Sequence, residues 1–87
     1  MPDIKIYSRR FCSYCTAAKS LLESQGYEFT EVSLDEDPEL AQKVMLAAGM
    51  RTVPIIAVGE HIVGGFRELY SAINGGEFAD LVDTEQD

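Results

Sequence analysis

The chain has 87 residues, 46% of them hydrophobic and 25% charged, with a net charge of -8 at pH 7. That supplies one small core, so a single domain over residues 1–87 is expected, and the acidic balance argues against nucleic acid, whose phosphates need a basic face. No apolar run nears the ~18 residues of a membrane span, and Met1-Pro2-Asp3 lacks the basic and apolar regions of a signal peptide. The expectation is therefore no membrane partner and a cytoplasmic location.

In chain order, Asp3 to Tyr7 alternates as a half-buried strand with Ile4 and Ile6 on one face. A loop from Ser8 to Phe11 follows. The spacing of Ala17, Ala18, Leu21 and Leu22 predicts a helix from Ser13 to about Gln25, stopped at Gly26. Glu28 to Leu34 reads as a second strand. Asp37 before Pro38 predicts a helix start, with the helix running to Ala48, Leu40, Val44 and Leu46 or Ala47 inward, and Gly49 ending it. Ile55 to Val58 is short and wholly apolar, as a buried central strand should be, and Gly59-Glu60 turns it into His61-Ile62-Val63 as an antiparallel hairpin. Phe66 to Ile73 reads as a third helix with Leu69, Tyr70 and Ile73 inward. A short helical turn, Glu77 to Val82, precedes an acidic end, 83–87, expected to fray. The fold class implied is α/β, a four-stranded mixed sheet flanked by helices in the order βαβαββα. Spacing alone does not order the strands.

Chemistry concentrates in three segments. In Arg9-Arg10-Phe11-Cys12-Ser13-Tyr14-Cys15, two thiols lie three positions apart where a strand meets a helix. With Cys12 at the helix N-terminus, unpaired amides and the dipole favour its thiolate, two arginines lie close in sequence, and Cys15 sits about a turn further on, within reach. Such a pair can close and reopen as a disulfide. A structural staple is a poor alternative, because the loop is so short, and a closed zinc site fails because His61 is the chain's single histidine. No metal ligand set is therefore expected. The second segment is Val53-Pro54, where a proline opening a buried strand leaves backbone groups free to pair with an extended peptide. In the third, Gly64-Gly65 at a strand-to-helix junction lets a ligand approach the backbone, and the amides that follow can hold a carboxylate. All four arginines, Arg9, Arg10, Arg51 and Arg67, lie beside these segments, which suits a small anionic, peptide-like ligand on an otherwise acidic body.

These residues together resemble the glutaredoxins, the glutathione-dependent branch of the thioredoxin fold. The resemblance covers nearly the whole chain: Tyr7 through Cys15, Thr52-Val53-Pro54, Gly64-Gly65, and the nine residues between Pro54 and Gly64. It implies a thioredoxin-like fold with Pro54 cis, and an enzyme that uses the Cys12/Cys15 dithiol to reduce glutathione mixed disulfides and protein disulfides. Cys12 would form the mixed disulfide with glutathione and Cys15 would resolve protein disulfides. Arg9 matches the basic residue that faces the glycyl carboxylate and Tyr14 the aromatic bordering the tripeptide. Thr52 and Val53 match the pair beside the cis proline, Val53 pairing with the cysteinyl part. Gly65 and the amides of Phe66 and Arg67 match the site of the γ-glutamyl carboxylate. The implied partners are glutathione and disulfide-bearing or glutathionylated proteins.

Two departures from the family pattern bear on function. The usual Cys-Pro-Tyr-Cys is Cys-Ser-Tyr-Cys here, and family members with this loop include ones that assemble a 2Fe-2S cluster between two subunits on the first cysteine and glutathione. The resemblance thus implies a monomer, with a dimer only where Cys12 helps bridge such a cluster. Second, Arg67 stands where an acid commonly contacts the γ-glutamyl amino group, leaving Glu68 as its only substitute. The Gly-Phe-Arg run is similar to the NrdH-type redoxins, which take electrons from thioredoxin reductase and serve ribonucleotide reductase.

Overall fold

The computed structural model describes residues 3–84. Its elements run β1 (Ile4–Ser8), α1 (Ser13–Ser24), β2 (Thr30–Ser33), α2 (Pro38–Ala48), β3 (Ile55–Val58), β4 (His61–Gly64), α3 (Phe66–Gly75) and α4 (Glu77–Thr84). The expected final turn is therefore a full fourth helix of eight residues, and Asp83 and Thr84 belong to it instead of fraying. The rest of the expected acidic tail lies outside the described residues. The strands form one sheet in the order β2-β1-β3-β4, with β1 parallel to β2 and antiparallel to β3, and β3 antiparallel to β4. No helix among the described residues is long and apolar enough to cross a membrane.

Strand alternation assigns the two faces. Ile4 and Ile6 of β1 and Ile56 and Val58 of β3 bury against Ala18 and Leu22 of α1, Leu69 of α3, and Phe78 and Val82 of α4. Phe78 has no exposed surface and meets Tyr27 edge-on at 5.1 Å, which pins α4 to this layer. Ile55 and Ala57 point the other way and are buried too. Because α1, α3 and α4 occupy the first face, α2, with Ala41 and Val44 buried, is the helix left to cover the second.

Local chemistry sets the helix ends. The Asp37 side chain accepts the Leu40 amide at 3.1 Å, Pro38 takes the first helical position, and Gly49 adopts the left-handed conformation that closes α2. Two helix faces differ from expectation. Leu46 is 75% exposed and Ala47 is also exposed, while Ala41 and Val44 carry the buried stripe of α2. On α3, Leu69 is buried but Tyr70 is 52% exposed.

Candidate functional site: a dithiol between two clefts

The end of β1 delivers the dithiol. The Leu34 amide donates to the Ser8 carbonyl at 2.8 Å, and beyond it the loop is tied to the start of the α2 connection by Asp35. The Asp35 carboxylate accepts the Arg10 amide at 2.7 Å and lies 3.9 Å from the Arg9 guanidinium and 4.0 Å from that of Arg10, which also approaches Glu36 at 3.9 Å. Both arginines of the loop are thus engaged by acids, and Asp35 holds the loop as a unit. Phe11 then takes a left-handed backbone, φ 54°, with its side chain fully exposed. That conformation is costly for an aromatic residue and lifts the ring clear of the surface beside Cys12.

Cys12 is the N-cap of α1, in the place usually taken by Ser, Thr, Asp or Asn. Its Sγ accepts the Cys15 amide at 3.1 Å and lies 3.8 Å from the Val53 carbonyl. A sulfur in this position faces the free amides at the start of the helix. Cys15 is different: it is 2% exposed, and burial first, with the neighbouring Cys12 second, pushes its thiol up to about 12, against the opposing pull of the Arg9 backbone amide and Lys19. Both cysteines are free. One thiol is therefore accessible at a helix N-terminus, and its partner is sequestered one turn away.

Two clefts flank the dithiol. The first, about 280 Å³, brings together seven of the expected ligand-binding residues: Tyr14, Thr52, Val53, Pro54, Gly65, Phe66 and Arg67. The Val53–Pro54 bond is cis. Tyr14 and Phe66 form one aromatic wall at 5.9 Å, and Phe66 stacks on the exposed Tyr70 at 6.1 Å. Met50 and Glu68 complete the lining. Glu68 matters most of the two, because its Oε1 accepts the Gly65 amide at 2.8 Å, an acid capping α3 from within. A side chain on Gly64, where φ is 128°, would press to 2.8 Å from Glu68 Cγ, so glycine there is what allows the acid to fold back.

Arg9 lies apart from these seven. With Cys12 and Cys15 it borders the second cleft, about 520 Å³, together with Ser8, Lys19 and Glu31. The Ser8 hydroxyl donates to Glu31 Oε2 at 2.7 Å, and Lys19 Nζ reaches the same oxygen at 3.0 Å. These two contacts, Ser8 first, hold the Glu31 carboxyl below the usual carboxylate range. Sequence reasoning passed over all three residues. A signal existed in Ser8, which continues the inward positions Ile4 and Ile6 and so places a hydroxyl where a partner is obligatory.

Among known proteins, the glutaredoxin family model matches residues 4–63. A glutaredoxin of Pseudomonas aeruginosa is 39% identical over 82 residues, 94% of this chain and 98% of that protein. The glutaredoxin-like protein NrdH of Escherichia coli is 36% identical over 64 residues, 74% of this chain and 78% of the relative. Among solved structures, the glutaredoxin of Brucella melitensis superposes with a TM-score of 0.86 at 37% identity, covering 100% of this chain and 95% of that one. A buckwheat glutaredoxin in complex with glutathione shares the fold at a TM-score of 0.86 and 21% identity, covering 95% and 78%. With a helix-capping thiol, a buried partner thiol and a thioredoxin-like sheet behind them, this chain belongs to the glutaredoxin family of thiol-disulfide oxidoreductases.

Proposed function

We propose that the protein is a glutathione-dependent oxidoreductase that reduces glutathione mixed disulfides and protein disulfides through Cys12 and Cys15. The observation that carries this reading is the position of the Cys12 sulfur, capping α1 3.8 Å from the carbonyl of Val53, which lines the first cleft. The Cys12 thiolate attacks a disulfide sulfur, a mixed disulfide forms, and one thiol leaves. A second thiol, either glutathione or Cys15, then displaces the product. Glutathione lies in the first cleft: Tyr14 and Phe66 border it, Thr52, Val53 and Pro54 present backbone to its cysteinyl part, and the amides at the start of α3, with Gly65 giving access, face its γ-glutamyl carboxylate. Arg9, from the far side of Cys12, faces the glycyl end. We place this action in the cytoplasm, where such a cysteine pair is kept reduced.

The test is anaerobic turnover of a glutathione mixed disulfide, with glutathione reductase and NADPH as the regenerating couple. Turnover that disappears in Cys12→Ser is the expected result. Its absence in the wild-type protein, with reduction by thioredoxin reductase instead, would transfer the protein to the NrdH-like reading, in which ribonucleotide reductase is the acceptor. One observation favours that second reading: Glu68 already occupies the Gly65 amide, and Arg67 borders the cleft where the family commonly has an acid.

A 2Fe-2S cluster is a narrower possibility. Among the described residues no group of His, Cys, Asp and Glu side chains gathers to hold a metal ion. Cys15 is buried, so each chain offers Cys12 alone, and a cluster fits only as a bridge between two chains with glutathione thiols completing the ligands. Bound there, it would supply a dimer contact and block Cys12 from exchange. Brown colour after anaerobic purification, with dimerisation that requires glutathione, is the readout.

A further inference from the structure

We propose that Lys19, fixed by Glu31 and Ser8, is the positioning residue that allows the buried Cys15 to act as a thiolate in the resolving step. This rests on the reading of Cys15 as the resolving thiol.

The step is an exchange between sulfurs. Cys12 is joined to a substrate thiol R–S by a disulfide; the Cys15 thiolate attacks Cys12 Sγ, the bond from Cys12 to R–S breaks, and a Cys12–Cys15 bond forms. The electron pair leaves on R–S⁻, which gains a proton equivalent to the one Cys15 gave up. The cysteine pair is then oxidised by two electrons and the substrate disulfide reduced by two.

The difficulty lies with the attacking group. Cys15 is 2% exposed, and burial disfavours its charged form. Joining Cys12 to a substrate sulfur leaves Cys15 as buried as before, and burial still disfavours its charged form. Something must favour the thiolate from inside the protein.

Lys19 is placed to do so. It follows Cys15 by four positions on α1, hence on the same helix face. Its ammonium is not free to swing into solvent, because Glu31 Oε2 holds it at 3.0 Å and the same oxygen is anchored at 2.7 Å by Ser8, itself 2% exposed at the end of β1. The three residues and both cysteines line one cleft. The other charges bordering it are Arg9 and Arg10, turned toward Asp35 and Glu36. Across Cys12, Arg67 and Glu68 of α3 border the opposite cleft. Of the charged side chains, Lys19 is the one that draws the Cys15 thiol downward, while Arg9 acts through its backbone. Glu31 offsets part of the lysine's field, but without its bond at 3.0 Å the ammonium would be free to turn into solvent.

The experiment isolates this step. Reaction of the reduced protein with 5,5′-dithiobis(2-nitrobenzoate) places a thionitrobenzoate on Cys12, and its subsequent release, read by absorbance in stopped flow, reports attack by Cys15. In wild type the release rate should climb with pH. Lys19→Met should slow release about three- to fourfold at pH 7 and move the climbing limb to higher pH, since the smaller thiolate fraction is partly offset by the greater nucleophilicity of a more basic thiolate. Lys19→Arg should restore most of the rate, and Glu31→Gln should fall between. An unchanged rate and pH profile in Lys19→Met would overturn the proposal, as would a slower rate with an unmoved profile, which would mark Lys19 as merely structural. Cys15→Ser separates the underlying reading: it should retain the thionitrobenzoate, and release as fast as wild type would remove Cys15 from the resolving role and the proposal with it.

Discussion

The two sides of Cys12 are built from different materials. Toward α3 the cleft is walled by the Tyr14 and Phe66 rings and floored by backbone at Val53, Pro54 and Gly65. Toward β2 it is bordered by charge: Arg9, Arg10, Lys19 and Glu31. The first side offers flat apolar surface and backbone hydrogen-bonding groups, which suit an extended peptide. The second has charges already paired with one another, a stable electrostatic frame for a buried thiol, and on the proposed reading only Arg9 reaches from it toward a ligand. On the proposed reading, most of the recognition surface lies on the first side and the frame of the buried thiol on the second.

The two thiols offer the strongest way to break this division. Cys12→Ser should reduce turnover of both mixed and protein disulfides to the uncatalysed background, because no other described thiol is exposed. Cys15→Ser should stop protein-disulfide reduction by the dithiol route and spare removal of glutathione from mixed disulfides. Steady-state assays on a glutathione mixed disulfide and on a folded protein disulfide check both. Equal losses in the two assays for Cys15→Ser would mean that the buried thiol serves both reactions and that the two sides are not separate.

Glu68 gives a sharper test on the recognition side. Its carboxylate sits on the Gly65 amide, at the positive end of α3, where the γ-glutamyl carboxylate is expected. Glu68→Gln keeps an acceptor for that amide and removes the competing charge. The KM for a glutathione mixed disulfide should fall about two- to fivefold, the range a charge at a helix N-terminus is worth. A rise in KM would instead make Glu68 the partner of the glutamyl ammonium.

What could be read from the sequence was what local chemistry decides. The Asp37-Pro38 start, the Gly49 stop, the Gly59-Glu60 hairpin and the helix opening at the dithiol all appear as read. Errors arose where a helix offered more apolar residues than its neighbours could cover. Each residue turns a helix by about 100°, so Leu46, two beyond Val44, points nearly opposite the buried stripe, and Tyr70, one beyond Leu69, falls at its edge. Seven of the residues expected to bind a ligand share one cleft because backbone features, a strand-opening proline and a glycine pair, place them. The acids that organise the site were not legible. Asp35, Glu31 and Glu68 are three among fifteen acidic residues, and only tertiary pairing distinguishes them.

On the charged side, the effect of pH on stability is smaller. The folded-state pKa of Glu31 is lowered, so its contribution is present above the ordinary value of 4.5 and is lost as pH falls through the folded value. Lys19 and Glu31 side chains are 30% and 42% exposed, so the contribution should stay below about 1 kcal/mol. Urea midpoints of wild type and Glu31→Gln should differ at pH 7 and converge toward pH 3. A constant difference would show that the carboxylate's charge is not what the frame uses.

The smallest effect concerns Phe11, which borders the charged cleft but takes no part in its ion pairs. Its backbone is left-handed and its ring touches nothing that burial would reward. Glycine at this position removes a conformational cost of about 1–2 kcal/mol but adds about 0.5–1 kcal/mol of unfolded-chain entropy. Phe11→Gly should therefore leave stability unchanged or raise it by up to about 1.5 kcal/mol, with no change in the slope of a urea transition. A loss of stability would show that the ring packs in solution and that the loop is held by more than Asp35. A gain would mean that an unfavourable backbone is maintained beside the nucleophile for what the ring does outside the fold, which ties Phe11 to the disulfide partner's surface instead of to this chain's own core.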